Sequence, residues 1–288
     1  MQNDEITDPL FREAIEAIDA GNIKVLENLL AKHPRLVREP LNRLSGDYFQ
    51  HPYLLWFVAD NPIRVKTLPP NIVDITRLLV HYVKQEAPDS IQQQLDYTLG
   101  LVATGRIPKE CGVQTELIDL LINEGAKPGG GLGALAHGNK VAAAHLIARG
   151  GTLTLAAAVG LNRLADVDQL IQDANENEKL VALTMAAFDG NVPMLSFLLS
   201  KGIDPNGYPG NNSGFHRHAT PLHQAVQSGS LDGVKLLVQA GAKLDVPDKI
   251  YGGTALGWAK YLQTEAGYDE TAKQGFAEIE RYLRGLTT

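Results

Sequence analysis

The feature that most constrains the fold is a short apolar pattern that returns along the chain. When GSLDGVKLLVQAG (229–241) is aligned with GNVPMLSFLLSKG (190–202), the glycines coincide and apolar residues share offsets 0, 3, 6 and 7, counted from Leu231 or Val192. Those offsets mark one face of an α-helix. A chain that repeats one such helix must bury each copy against its neighbours, which is typical of stacked helical repeats.

The same pattern fits eight places in the chain. Thr76, Thr115 and Lys140 are the positions that match it least well. The eight copies begin at Ile23, Val73, Thr115, Lys140, Leu164, Val192, Leu231 and Phe276.

The intervals between copies are irregular, and the long ones contain loop insertions. These are DNPIRVKTLPP (60–70), ATGRIPKECGVQ (103–114) and PNGYPGNNSGFHRH (205–218). A stack of repeats tolerates such insertions because each repeat needs only its two stacking faces, and a longer loop costs little closure entropy. We therefore expect the insertions to lie between helices.

A shorter apolar segment precedes each well-matched copy. It has leucine or alanine nine positions and alanine six positions before the copy begins, as in Leu222/Ala225, Leu183/Ala186, Leu155/Ala158 and Ala14/Ala17. Small residues there allow two helices to approach closely. A glycine followed by Asn or Ser separates the segments, as in DAGN, AHGN, FDGN and QSGS, where glycine ends one helix and the polar residue caps the next. The predicted unit is helix, turn, helix and loop.

One segment carries a family resemblance. ATPLHQAVQSGSLDGVKLLVQAGAKLDVPD (219–248) resembles the ankyrin repeat in its T-P-L-H-x-A start, mid-repeat glycine, apolar VKLLVQAGA helix and closing aspartate. GGTALGWAKY (252–261) is similar to the start of a following repeat, and LLSKGIDPNG (198–207) to the end of a preceding one. The resemblance implies an all-α fold in which loops project at right angles from the helix pairs.

We therefore predict one all-α ankyrin-repeat solenoid over 1–288, with about eight irregular helix-turn-helix repeats and long loop insertions. Charged residues on the helices of 8–22 and 271–286 suit end caps, so a complete solenoid is expected. The approximate repeats are 8–44, 45–88, 89–128, 129–151, 152–177, 178–218, 219–252 and 253–288.

Composition excludes several classes of protein. A net charge of -7, a pI near 5.6 and the lack of a Lys/Arg run argue against a nucleic-acid partner. The single cysteine, Cys111, excludes an intramolecular disulfide and a four-cysteine zinc site, and favours a reducing, cytoplasmic location. The acidic N-terminal segment is unlike a secretory signal, and no run of 18 apolar residues predicts a membrane span.

Three histidines, His216, His218 and His223, lie within eight residues. By the family motif, His223 bonds back to Thr220 and to the backbone of an adjacent repeat, which predicts a structural role. His216 and His218 could share a metal ion, but zinc needs three or four ligands. A metal-binding or small-molecule-binding protein that uses the histidines of the 203–219 loop is therefore the alternative hypothesis.

No arrangement of residues predicts catalysis. The glycine run of KPGGGLGALAHG (127–138) lacks the Lys-Ser/Thr of a phosphate loop and has no strand before it, so it predicts a tight turn. No Ser/His/Asp order and no close carboxylate pair stands out. We expect a noncatalytic protein without a cofactor, and a hidden enzyme-like domain in 41–135, where the repeat pattern is weakest, stays open as a third possibility.

The resemblance also predicts a binding surface for another protein. In ankyrin repeats the contact residues lie in the loop before each repeat and near the end of its first helix. Carried over by alignment, these positions are His216, Arg217, Ala219, Gln227, Ser228, Ile250, Tyr251, Tyr261, Phe188 and Asp189. The 203–219 insertion adds Tyr208 and Phe215 as apolar anchors. Tyrosine and arginine are enriched among residues that dominate binding energy at interfaces.

Overall fold

The structure is a computed structural model that describes residues 6–42, 49, 51–210 and 216–286. Throughout these residues the regular structure is helical, and none of them lies in a strand. The chain divides into two compact units, Met1–Thr152 and Leu153–Thr288. No helix in the described ranges has the length and apolar character needed to cross a membrane.

In the first unit two layers of helices stack on each other. The first layer is formed by α1, the 3₁₀-helix, α5 and α8, and the second by α2, α4, α7 and α9, each packing on the next in its layer. Their bounds are α1 Pro9–Asp19, α2 Ile23–Lys32, α3 Arg35–Arg38, the 3₁₀-helix Leu54–Ala59, α4 Ile72–Glu86, α5 Ile91–Thr104, α6 Arg106–Glu110, α7 Gln114–Asn123, α8 Leu132–Ala136 and α9 Lys140–Ala148.

The second unit repeats this architecture. In its first layer α10, α12, α14 and α16 pack in order, and in its second α13, α15 and α17 do so. The bounds are α10 Leu155–Gly160, α11 Leu164–Leu170, α12 Glu176–Phe188, α13 Val192–Ser200, α14 Pro221–Gln227, α15 Leu231–Gln239, α16 Ala255–Leu262 and α17 Glu270–Leu286. Seven of the eight copies of the apolar pattern therefore lie on second-layer helices, and the eighth lies on α11, which packs on α10. This arrangement confirms the all-α repeat fold.

Polar caps define where the helices of the second unit begin. The Thr154 hydroxyl accepts from the Ala157 backbone N–H at 3.2 Å, and the Thr254 hydroxyl accepts from that of Gly257 at 3.2 Å. Two second-layer helices are capped in the same way. The Asn191 side-chain oxygen accepts from the Met194 backbone N–H at 3.2 Å, and the Ser230 hydroxyl accepts from the Gly233 backbone N–H at 3.1 Å. Each cap satisfies an N–H group that a helix end leaves unpaired.

The small residues and glycine turns lie where the pattern predicts. Ala17, Ala158, Ala186 and Ala225 are buried between the layers. The glycines of the four turn signals have φ between 60° and 70°, a left-handed conformation that costs other residues about 1–2 kcal/mol. These are Gly21, Gly138, Gly190 and Gly229.

The insertions 60–70 and 103–114 are held by internal hydrogen bonds. In 60–70 the Asp60 carboxylate accepts from the backbone N–H groups of Arg64 at 2.8 Å and Lys66 at 2.9 Å. The insertion 103–114, predicted as a loop, contains α6. The buried Gln114 amide donates to the Val102 carbonyl at 2.9 Å and so ties the end of this segment to its start. Because α6 has only five residues, its sequence is too short to show a helical period, and the helix could not be predicted.

Candidate functional site

A groove of about 820 Å³ opens on the second unit, between the C-terminal ends of first-layer helices and the loops beside them. Five of the lining residues are Phe, Tyr or Trp, although these types make up only 6% of the chain. The groove is lined by Phe188, His216, His218, Gln224, Gln227, Tyr251, Gly253, Gly257, Trp258, Tyr261, Leu262, Glu265 and Tyr268.

Helix α14 contributes two glutamines one turn apart. The Gln227 amide donates to the Tyr268 hydroxyl, which ties α14 to the segment after α16. Gln224 is fully buried, and neither polar atom of its amide has a hydrogen-bond partner within the described part of the chain. Leaving a buried amide unpaired costs about 1–3 kcal/mol. This polar group therefore lies in the lining at a cost to stability.

Helix α16 and the residues after it contribute an aromatic wall with one carboxylate. Trp258 and Tyr261 lie three residues apart on α16, and Glu265 follows in the segment after the helix; all three line the groove. The neighbouring Glu265 carboxylate is the largest cause that raises the Tyr261 pKa above its ordinary value. Tyr251 and Tyr261 are 83% and 62% exposed, so two large rings stand open to a partner at the rim.

Asp248 holds the loop that carries Tyr251. One carboxylate oxygen accepts from the Tyr251 backbone N–H at 2.7 Å, and the other accepts from the Gly253 backbone N–H at 2.8 Å and the Trp258 indole at 3.0 Å. Asp248 is buried; the donors around it outweigh the cost of burial and hold its pKa well below its ordinary value. The indole orientation in the groove is therefore set by a charged hydrogen bond.

A row of rings leads along the groove from Phe188 to Trp258. The Phe188 and His216 ring centroids are 4.8 Å apart, and the His216, His218 and Trp258 rings follow at 6.1 Å intervals. His216 has a φ of 36°, an unusual left-handed conformation for a residue with a side chain. The His218 carbonyl accepts from the Lys249 backbone N–H at 2.8 Å, which joins this loop to the loop at 248–253.

His223 lies beneath these rings in a structural position. Its Nε2 atom is 3.0 Å from the Gly253 carbonyl of the following repeat, and its Nδ1 atom is 2.8 Å from the Thr220 hydroxyl. Because a carbonyl only accepts, Nε2 carries the proton and Nδ1 accepts from Thr220. Burial is the largest cause that lowers the His223 pKa, which favours this neutral ring. The predicted structural role of His223 is confirmed.

The groove brings together five residues that the alignment predicts as partner contacts: Phe188, His216, Gln227, Tyr251 and Tyr261. The exposed residues Arg217 and Ile250 are not part of its lining. Asp189 and Ser228 are half-buried beside it, and the Ser228 hydroxyl donates to the Ala225 carbonyl at 3.0 Å.

Two further predicted residues, Ala219 and Tyr208, lie elsewhere. Ala219 is fully buried, so its methyl group belongs to the core and not to an accessible binding face. Tyr208 packs its ring against the Lys249 ammonium at 4.1 Å, and its hydroxyl donates to the Pro247 carbonyl, so it ties two loops together. Phe215 lies outside the described residues.

The histidine arrangement bears on the metal hypothesis. Within the ranges that the structure describes, no three His, Cys, Asp or Glu side chains come together in a way that could hold a metal ion. His223 uses both ring nitrogens in hydrogen bonds. His216 and His218 therefore lack a third ligand among these residues, whereas zinc takes three or more from the protein.

The alignment did not indicate the other groove residues as partner contacts, and His218 was considered only as a possible ligand of a metal or small molecule. These residues are His218, Gln224, Gly253, Gly257, Trp258, Leu262, Glu265 and Tyr268. A usable signal was present, because Gln224 and Gln227 are three residues apart, and Trp258 has the same spacing to Tyr261. A helical face of this kind on first-layer helices indicates the inner side of a repeat stack.

The chain was compared with protein-family models, with curated proteins and with solved structures. A family model described as "Ankyrin repeats (3 copies)" matches residues 153–248. A search of curated proteins found no match. Among solved structures, "Crystal structure of human ASB11 ankyrin repeat domain" is 16% identical, with 95% of this chain and 98% of that chain covered and a TM-score of 0.31. The matched segment 153–248 holds α10 to α15 and thus one side of the groove.

Proposed function

Because residues 153–248 of this chain match ankyrin repeats, we propose that it binds another protein in the groove of its second unit. Ankyrin repeats are interaction modules in general; the choice of this groove is our inference. The observation that carries it is a cluster of exposed rings, Tyr251 and Tyr261, beside the half-buried Trp258 and Phe188. Exposed apolar clusters of this kind are typical of interaction sites.

The chemistry of the groove supports binding more than catalysis. Hydrogen bonds to Asp248 hold the Trp258 indole and the loop of Tyr251 in place before a partner arrives. A fixed aromatic surface loses little conformational entropy on binding, and so retains more of its contact energy as affinity. We propose a noncatalytic scaffold in the cytoplasm, and a partner interface of about 800 Å² on this chain.

The test is affinity capture from the native organism with variants of the full chain. We expect that Tyr251→Ala and Tyr261→Ala, which remove two rings of the lining, together remove the captured partner. A triple variant that adds Arg217→Glu, at an exposed position beside the lining, should likewise capture none. The three side chains are exposed, so the free energy of unfolding should change by less than about 1 kcal/mol.

Leu164→Ala is the matched control, since Leu164 is 53% exposed in the same unit and does not line the groove. This control should capture the same partner as the natural chain. A partner that binds the triple variant undiminished would show that the groove is not the binding face.

A further inference from the structure

The groove combines several aromatic faces with a single fixed charge. Glu265 is the only Asp, Glu, Lys or Arg among the described residues that line it. Tyr251, Trp258 and Tyr261 line the groove with it, and Glu265 follows Tyr261 by four residues in the chain. Aromatic faces carry negative electrostatic potential and attract cations, most strongly where water is displaced.

From this juxtaposition we propose that the groove recognises a basic side chain, arginine or lysine, on an exposed segment of the partner protein. This inference rests on the proposed function and adds the chemical identity of what enters the groove. The cation lies against the rings of Trp258 and Tyr261, and the Glu265 carboxylate pairs with it.

The position of Glu265 supports the pairing. Its carboxylate lines the groove, and the two carboxylate oxygens can accept several hydrogen bonds. A guanidinium or ammonium group has only donors, so it fits these acceptor sites. An acidic segment would meet Glu265 as a like charge, and a purely apolar segment would bury this carboxylate without a counter-ion.

Gln224 adds an acceptor in the same lining. Its amide oxygen is buried and unpaired within the described chain. An inserted basic group brings donors for that oxygen, and the carbonyl groups of the segment bring acceptors for its nitrogen. A polar group that weakens the unbound protein is thereby satisfied in the complex, which is typical of residues kept for binding.

The open rim explains why the cation belongs to a peptide segment. Tyr251 and Tyr261 are more than half exposed, and the groove crosses α12, α14, α16 and their loops. A volume of about 820 Å³ exceeds what one basic side chain fills, so the neighbouring residues of a segment occupy the remainder. An extended segment satisfies this shape with one anchored side chain.

The experiment selects peptides without assuming their charge. A phage library of random dodecapeptides is panned on the full chain, after depletion on the variant Trp258→Ala/Tyr261→Ala, whose helix content is verified by circular dichroism. We expect the enriched peptides to share arginine or lysine at one position. Replacing that residue by glutamine in a synthetic peptide should weaken binding about tenfold in fluorescence anisotropy.

Matched variants of the chain test the role of the carboxylate. Glu265→Gln should weaken the selected peptide about tenfold. Glu278→Gln removes the same charge from an exposed position on α17 outside the groove and should leave the affinity within about twofold.

The outcomes separate the two proposals. Groove-dependent peptides that share an acidic residue, or no charged residue, would overturn the basic-side-chain inference and leave the groove as the binding face. Equal binding of the selected peptide to Glu265→Gln would also overturn it. A selection that yields no peptide dependent on Trp258 and Tyr261 would overturn both.

Discussion

His223 joins two consecutive repeats through the two nitrogens of one ring. Thr220 lies in its own repeat and Gly253 in the next, and both hydrogen bonds are buried or half-buried. Protonation would place a second N–H opposite the Thr220 backbone N–H, which is 3.3 Å from Nδ1. The neutral ring is therefore part of what holds α14 and the loop before α16 together.

This geometry predicts a pH-dependent stability. Burial lowers the His223 pKa below its ordinary value of 6.5, so the unfolded chain binds a proton at higher pH than the folded chain does. The stabilisation is complete above 6.5 and is lost as the pH falls below it. His223→Leu should reduce the free energy of unfolding in urea by about 2 kcal/mol near neutral pH, and by less at about pH 5.5.

The exposed His81 on α4 provides the comparison. His81→Leu should change the free energy of unfolding by less than about 0.5 kcal/mol at either pH. A loss in His223→Leu that is equally large at both pH values would mean that protonation of this ring does not oppose folding.

At the scale of helices and loops, backbone contact decides where the chain accepts a larger residue. Gly151 follows α9, and a Cβ atom there would lie 2.3 Å from the Gly129 carbonyl oxygen and 2.8 Å from that of Leu146. The Thr152 backbone N–H donates to the same Gly129 carbonyl at 3.0 Å. These two loops can come this close only because residue 151 has no side chain.

Two glycine substitutions should therefore act in opposite directions. Gly151→Ala forces backbone apart and should destabilise the chain by about 2 kcal/mol. Gly100 lies exposed inside α5, and a methyl group added there would meet nothing within 4 Å, so Gly100→Ala should stabilise the chain by about 0.5–1 kcal/mol. Urea unfolding measures both, and a neutral Gly151→Ala would contradict the close approach.

The sequence predicted the helices of the second layer better than those of the first layer. Second-layer helices have one buried face, and their period is visible from Ile23 to Leu283. The 3₁₀-helix Leu54–Ala59 occupies a first-layer position, yet all six of its residues are buried. A segment that is apolar all round carries no helical period, so the sequence could not indicate its type.

At the scale of the molecule, every residue that lines the groove belongs to the unit Leu153–Thr288. That unit has its own stacked helices and its own core, which includes Leu183, Leu237 and Phe276. Repeat proteins are stabilised mainly by contacts between neighbouring repeats, so a set of four helix pairs can be stable alone. The prediction of one continuous solenoid over 1–288 stays a prediction.

We therefore expect a fragment of residues 153–288 to keep the groove. It should unfold cooperatively in urea, and it should bind the groove-selected peptide within about threefold of the full chain. The Trp258 indole provides the fluorescence signal, because Trp56 is absent from this fragment. A fragment without a cooperative transition would show that its repeats need the first unit in order to fold.

The sequence alone determined the repeat architecture, the glycine turns, the structural role of His223 and part of the groove. The architecture and the turns follow from local rules, because helical period, capping and turn conformation depend on residues a few positions apart. The role of His223 and the groove residues came instead from the resemblance to the ankyrin repeat. Only the tertiary structure brought Gln224 and Glu265 into one groove with Trp258, buried Ala219, and committed Tyr208 to Pro247 and Lys249. Those outcomes depend on residues far apart in the chain, whose distance and burial are decided by how the repeats pack.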